Sequence, residues 1–260
     1  MVTTIQPRQS FLPSTGSIAI EGLEGLNQQD LILPRKTIIQ PSSKREGADE
    51  HLGYFHDNLS NEMVPSIEAV ILQISHARTL WSGDQSDSTP ECASYDGVTG
   101  RVYGACADCQ FNYDADPGVW GDKDIKQCRK GYLFLSSDRA DGSMFLLGAM
   151  GTSVKPARIL ISSFVQKRRS PFSAVVKFET QKIIEEKGKY YILKATISKW
   201  LTDDETREYR EMHLALKGVP ISDIEPEANG DGNEPESHVA TPHEEAQKAP
   251  PSFGEGRLPF

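Results

Sequence analysis

The four cysteines of the chain all fall between positions 92 and 128: Cys92, then Cys106 and Cys109 in a Cys-Ala-Asp-Cys turn, then Cys128. Thiolates are soft ligands, and a Cys-x-x-Cys turn presents two sulfurs to one metal. Two more cysteines arriving from either side close a tetrahedral shell around zinc. Four thiolates leave no open position for a substrate, so such a zinc would be structural. Two other states fit the same residues, a pair of disulfides or four unpaired thiols. Disulfides need an oxidising compartment, and Met1 to Gln9 shows no apolar core of signal-peptide length. Asp108 and His76 are further donors, but nothing sets them above the sulfurs. Elsewhere there is no Ser-His-Asp set, phosphate loop or paired His ligands. The carboxylates at Glu179 and at Glu185-Glu186 lie beside lysines and read as solvated charge. No enzyme is expected.

The cysteine segment cannot organise itself. Gly97, Gly100, Gly104, Pro117, Gly118 and Gly121 are scattered through it, and it lacks apolar periodicity. It must hang from a larger body, and 260 residues allow one large or two small domains. No apolar run approaches the roughly 20 residues of a membrane helix, so a soluble, cytoplasmic protein is expected. Net charge is -9, unevenly spread. Residues 221–260 carry nine acidic and two basic side chains, a net of -7, which leaves -2 for residues 1–220. Within that body, 155–199 holds eleven Lys or Arg against three Glu, a net of +8. A basic region in a nearly neutral body, with an acidic tail, points to a polyanionic partner.

Residues 1–30 read as a flexible arm, 31–217 as the folded domain with 82–130 inserted in it, and 218–260 as a disordered acidic tail. Strands are predicted at 35–40, 53–56 and 64–81. In the last of these Ile67, Ala69, Ile71 and Gln73 share one parity and Val70, Leu72 and Ile74 the other, as in a strand buried on both faces. A hairpin follows at 132–135 and 144–150. Ala157, Leu160, Ile161, Phe164 and Val165 recur at helical spacing over 154–168, with Ser153 as the expected N-cap. A long hairpin at 172–184 and 190–197 comes next, then a helix at 202–216 capped by Thr202 or Asp203. This order predicts a mainly β chain, a five-stranded Greek-key barrel of OB-fold type with one or two helices, and the cysteine segment elaborating a barrel loop.

The tail ends in an apolar hook, Arg257-Leu258-Pro259-Phe260. Leu258-Pro259-Phe260 resembles the Ile-Pro-Phe tip of bacterial single-stranded DNA-binding proteins, although Arg257 stands where that family has acid. The body resembles phage-encoded single-stranded DNA-binding proteins in Leu33-Pro34-Arg35-Lys36-Thr37-Ile38-Ile39-Gln40-Pro41, the cysteine insertion, and the Gly151-Thr152-Ser153 helix start. The resemblance implies sequence-independent cover of single-stranded DNA. The tip would recruit replication or recombination enzymes, and the compartment would be the host cell cytoplasm.

Such cover needs cations for phosphates and aromatic faces for bases. The candidate cations are Arg35, Lys36, Lys155, Arg158, Lys167, Arg168, Arg169, Lys177 and Lys194. The candidate stackers are Tyr54, Phe55, Trp81, Phe134, Tyr190 and Tyr191, with Trp81 and Tyr190 preferred. Leu258, Pro259 and Phe260 are the expected partner-binding residues, and Cys92, Cys106, Cys109 and Cys128 the metal ligands. The alternative is a zinc-containing regulatory or protein-interaction module that binds duplex DNA or a protein.

Overall fold

A computed structural model describes residues 33–43, 47–80, 90–112, 128–186 and 188–217. The expected arm, Trp81, and the tail with its tip lie outside these residues. The described residues belong to one unit, Met1–Pro226; the second unit, Glu227–Phe260, lies wholly outside them.

The chain forms β1 (Arg35–Ile38), β2 (Phe55–Asp57), β3 (Met63–Val64), β4 (Ile67–Leu80), β5 (Cys92–Ser94), β6 (Thr99–Gly100), β7 (Gly104–Ala105), β8 (Arg129–Asp138) and β9 (Met144–Met150). Then come α1 (Val154–Lys167), β10 (Ala174–Glu185), β11 (Gly188–Trp200) and α2 (Asp203–Leu216). One sheet runs β11-β10-β4-β8-β9-β1-β2-β3, with β5 joined to the end of β4; β6 and β7 form a separate small ribbon. All pairings in the large sheet are antiparallel except β1 on β9. The sheet curls into a half-barrel with α1 against one face and α2 against the other.

β4 is the central strand, and both of its faces are buried, as its composition predicts. Its parity is not constant. The β4–β8 register slips between Ile71 and Gln73. Ile67, Ala69 and Ile71 therefore share the inner core with Ile74, while Val70 and Leu72 face the other way. A one-residue bulge exchanges the faces of everything beyond it. The Leu72 carbonyl is taken up by His213 Nδ1 of α2 at 2.8 Å, and the His213 ring stacks on Phe172 at 5.2 Å. The inner core holds Phe55, Phe134, Phe145 and Phe178 beneath Ala157, Leu160 and Phe164 of α1. Truncating one of these buried aromatics costs about 3–5 kcal/mol.

The two helices start differently. α2 has the expected cap: Thr202 accepts from Glu205 N, and Glu205 in turn accepts from Thr202 N. Ser153 caps nothing at α1. A 3₁₀ turn, Gly151–Ser153, leads into that helix, and the Ser153 hydroxyl accepts instead from Leu193 N at 3.0 Å.

That bond belongs to a seam joining the two ends of the half-barrel. The Gln40 carboxamide donates to the Tyr191 carbonyl at 2.7 Å and accepts from Tyr191 N at 2.9 Å, standing in for a strand partner. Thr180 Oγ1 donates to the Gly53 carbonyl at 2.6 Å. Gly53 has φ +84, and a Cβ there would lie 2.5 Å from the Tyr191 ring, so the position requires glycine.

Candidate functional site

The four cysteines converge. Cys92 opens β5, Cys106 and Cys109 follow β7, and Cys128 precedes β8; all four line one cavity with Arg78, Leu80, Tyr103, Phe111 and Asn112. Cys92 and Cys106 are buried, Cys109 and Cys128 partly so, and all are free thiols. Backbone bonds hold the turns: Cys106 N to the Val98 carbonyl at 2.7 Å, Asn112 N to that of Cys109 at 2.8 Å, and Cys128 N to that of Phe111 at 2.9 Å. Burial pushes the Cys128 thiol up to about 11; Arg78 draws it down, and the other three cysteines push it further up.

The donor set fits a tetrahedral thiolate site in type and number. Gly100 leaves the space for it, since a Cβ there would lie 3.0 Å from the Cys92 sulfur and 3.8 Å from the Cys106 sulfur. Among the described residues, however, no three or more His, Cys, Asp or Glu side chains stand drawn together as a metal-holding group.

The expected cations divide by what holds them. Lys155 and Arg158 are exposed on α1, and Lys167, Arg168 and Arg169 are exposed at its C-terminal end. Arg168 carries the left-handed C-cap, φ 52. The Arg169 guanidinium lies 4.5 Å over the Trp200 ring, and its Nη2 donates to the Leu201 carbonyl at 3.5 Å. No Asp or Glu occurs between Asp141 and Glu179, so α1 and the turn after it carry no carboxylate of their own. Lys177 and Lys194 share Glu179, at 2.8 and 3.2 Å. Hydrogen bonds from those two lysines hold the Glu179 carboxyl below its ordinary range. Lys36 is committed to the interior: its Nζ is 3.0 Å from Asp138 and 4.5 Å over the Phe145 ring. Arg35 is half-buried, with its guanidinium 5.6 Å over the Tyr95 ring.

The expected stackers divide in the same way. Phe55 and Phe134 are fully buried in the core and present no face to a base. Tyr54 is half-buried against the edge of His51 at 5.2 Å. Tyr190 is half-buried and donates to Glu185 at 2.8 Å, and Tyr191 packs on Gly53. Trp81, Leu258, Pro259 and Phe260 lie outside the described residues.

Periodicity could not reveal a further group, because its members meet only through strand register. His76 of β4 stands opposite Tyr132 of β8, followed by Arg78 opposite Lys130 and Thr79 opposite Arg129. The His76 and Tyr132 rings are 5.3 Å apart, and Arg158 Nε donates to the Tyr132 hydroxyl at 3.4 Å. His76, Arg129, Lys130 and Arg158 are exposed. The insertion borders this ledge. Gly97, at φ +75, rests on His76, where a Cβ would come within 2.8 Å of the His76 Cβ. Arg78 ties the two parts together by donating to the Gly97 carbonyl at 3.2 Å and to Asn112 Oδ1 at 2.7 Å.

A protein-family model described as Pam3 phage gp34-like protein matches residues 6–219. No curated protein and no solved structure matches the chain. No helix among the described residues is long and apolar enough to cross a membrane.

Proposed function

The chain belongs to the Pam3 phage gp34-like family, and we propose that this phage protein covers single-stranded DNA without regard to sequence. The observation that carries the reading is α1 with its C-terminal turn: Lys155, Arg158, Lys167, Arg168 and Arg169 in a stretch with no carboxylate. Cations so placed release counterions from a phosphate backbone whatever its sequence. The strand order supports it. β4, β8 and β9 are followed by α1 and then by β10 and β11, with β10 paired back on β4. That order is compatible with an OB-fold, a barrel that commonly binds oligonucleotides.

In this reading Cys92, Cys106, Cys109 and Cys128 hold one structural zinc, which closes the insertion and performs no chemistry on a substrate. Arg78, beside the thiolates, offsets part of their charge. The acidic tail competes with DNA for the cations, and Leu258-Pro259-Phe260 recruits replication or recombination enzymes. The test is competition between a labelled single strand and a duplex of the same sequence. The single strand should bind more tightly. Equal or tighter duplex binding would favour a regulatory module that reads duplex DNA.

A further inference from the structure

We infer that a base of the bound strand stacks on the ring of His76, in the ledge between the cysteine insertion and α1; this rests on the single-strand reading above. Over β4, β8 and β9 both faces of the sheet are already covered. The inner face is packed by α1. On the other face Leu133, Leu135 and Leu146 lie in one cluster with Leu33, Tyr95 and Leu216. A strand laid across the sheet would have to displace them. The end of the β4–β8 ribbon is different, because His76 is exposed there.

The surroundings of His76 suit a nucleotide. Tyr132, itself leaning on the core, stands beside the ring at 5.3 Å with the planes 37° apart and limits its swing on one side. Gly97 packs against its Cβ on the insertion side. Tyr132 thus borders the ring, and Gly97 the base of the side chain. Arg158 of α1 and Lys130, which lies two residues before Tyr132 and so on the same face of β8, are both exposed and supply charge for flanking phosphates. Arg158 reaches the Tyr132 hydroxyl from α1, and Lys130 stands opposite Arg78, further along the same face of the ribbon from the His76–Tyr132 pair. No carboxylate occurs in 74–80 or 129–134, the two sides of this ribbon. Aromatic backing and flanking cations are the two elements of sequence-tolerant single-strand binding.

The ledge also gives the cysteine insertion a task. Arg78 and Asn112 line the cysteine cavity, and through the Gly97 carbonyl Arg78 fixes the turn that rests on His76. His76 is thereby a ligand-touching residue, and Arg78 a positioning residue behind it.

The experiment uses the full chain and two labelled probes of equal length, oligothymidine and an oligomer of abasic sites. The abasic probe keeps the phosphates and removes the bases. His76→Ala should weaken oligothymidine binding about fivefold or more, the lower end of what losing one base–aromatic stack costs. Abasic binding should stay within about twofold of the parent, since the phosphate cations are untouched. His76→Phe should restore oligothymidine affinity, because a phenyl ring also offers a stacking face. The inference is overturned if His76→Ala binds both probes like the parent while the Lys167, Arg168 and Arg169 triple alanine variant loses affinity; single-strand binding then stands and the ledge is not its site. It is equally overturned if His76→Ala weakens both probes alike, which would make His76 only an electrostatic contact. If the parent chain binds neither probe, the single-strand reading itself falls, and the inference with it.

Discussion

Replacing Lys167, Arg168 and Arg169 together by alanine should change the salt dependence of DNA binding more characteristically than its strength. For single strands, the logarithm of affinity falls with the logarithm of salt by about 0.7 for each phosphate neutralised. Leaving three phosphates without their cations would flatten the slope by about 2, so a fourfold rise in salt would cost the variant roughly 20-fold less affinity than the parent. The three residues are not equivalent. Lys167 and Arg168 are exposed, whereas Arg169 is laid on Trp200 and donates to the Leu201 carbonyl. If Arg169 stays on Trp200, only two phosphates go without a cation, and the slope flattens by about 1.4. Arg169→Ala alone should then leave the slope in place and lower stability by about 0.5–1 kcal/mol, the value of an exposed cation–π contact. Fluorescence anisotropy over roughly 50–200 mM salt, the range in which such slopes are steep, measures the salt dependence, and urea titration measures stability. An unchanged slope in a folded triple variant would refute the reasoning, because cations that meet phosphates cannot be removed without releasing fewer ions.

The cysteine cavity should carry about one zinc per chain by metal analysis; Cys106→Ser should lose it and loosen 92–128 in hydrogen exchange, and free thiols without metal in a stable protein would remove the site. Deleting 221–260 takes away a net charge of -7 and should strengthen DNA binding, more at low salt than at high, since such charge is screened over about 10 Å at 0.1 M. Deleting only Leu258 to Phe260 should leave DNA affinity unchanged and abolish capture of the partner enzyme; equal effects of both truncations on DNA affinity would reduce the tail to a spacer. The α2 cap predicts an acid-dependent contribution to stability. The Thr202 N–H holds the Glu205 carboxyl below its ordinary value, so the contribution is complete above the unfolded carboxyl pKa and is lost as pH falls through the lower folded one. Thr202→Ala should cost about 0.5–2 kcal/mol, and urea titrations of Glu205→Gln should show that acid dependence removed.

What could be read in advance was local. The apolar spacing of α1, the capping signal of Thr202 and the β10–β11 hairpin each depend on neighbours a few residues away, and each is present. What could not be read depends on distant partners. Lys36 looks like a surface cation until Asp138, 102 residues away, closes on it. Ser153 has the chemistry of a cap, but Leu193 claims its hydroxyl. Phe55 and Phe134 have the chemistry of stackers, and the curl of the sheet places both in the core. The bulge at Leu72 breaks a parity that single-strand reading extends without interruption. His76 and Tyr132 are far apart in the chain, and only the register of β4 on β8 makes them neighbours. The short strands β5, β6 and β7 carry too few residues for any period to show.

The side-chain seam bears on self-association. A strand at the rim of a sheet offers a row of peptide groups that a second copy can use as a template, and proteins that leave such a rim bare tend to polymerise. On β11 the outward N–H groups of Tyr191 and Leu193 are engaged by Gln40 and Ser153, which come from far earlier in the chain. Gln40 also occupies the Tyr191 carbonyl, so donor and acceptor are blocked at the same residue. A side chain cannot propagate a ladder as a backbone can, because it has no next residue in register to offer. The half-barrel thereby ends in stoppers, and along this stretch of β11 the groups that curl the sheet also deny a neighbouring molecule a place to add a strand.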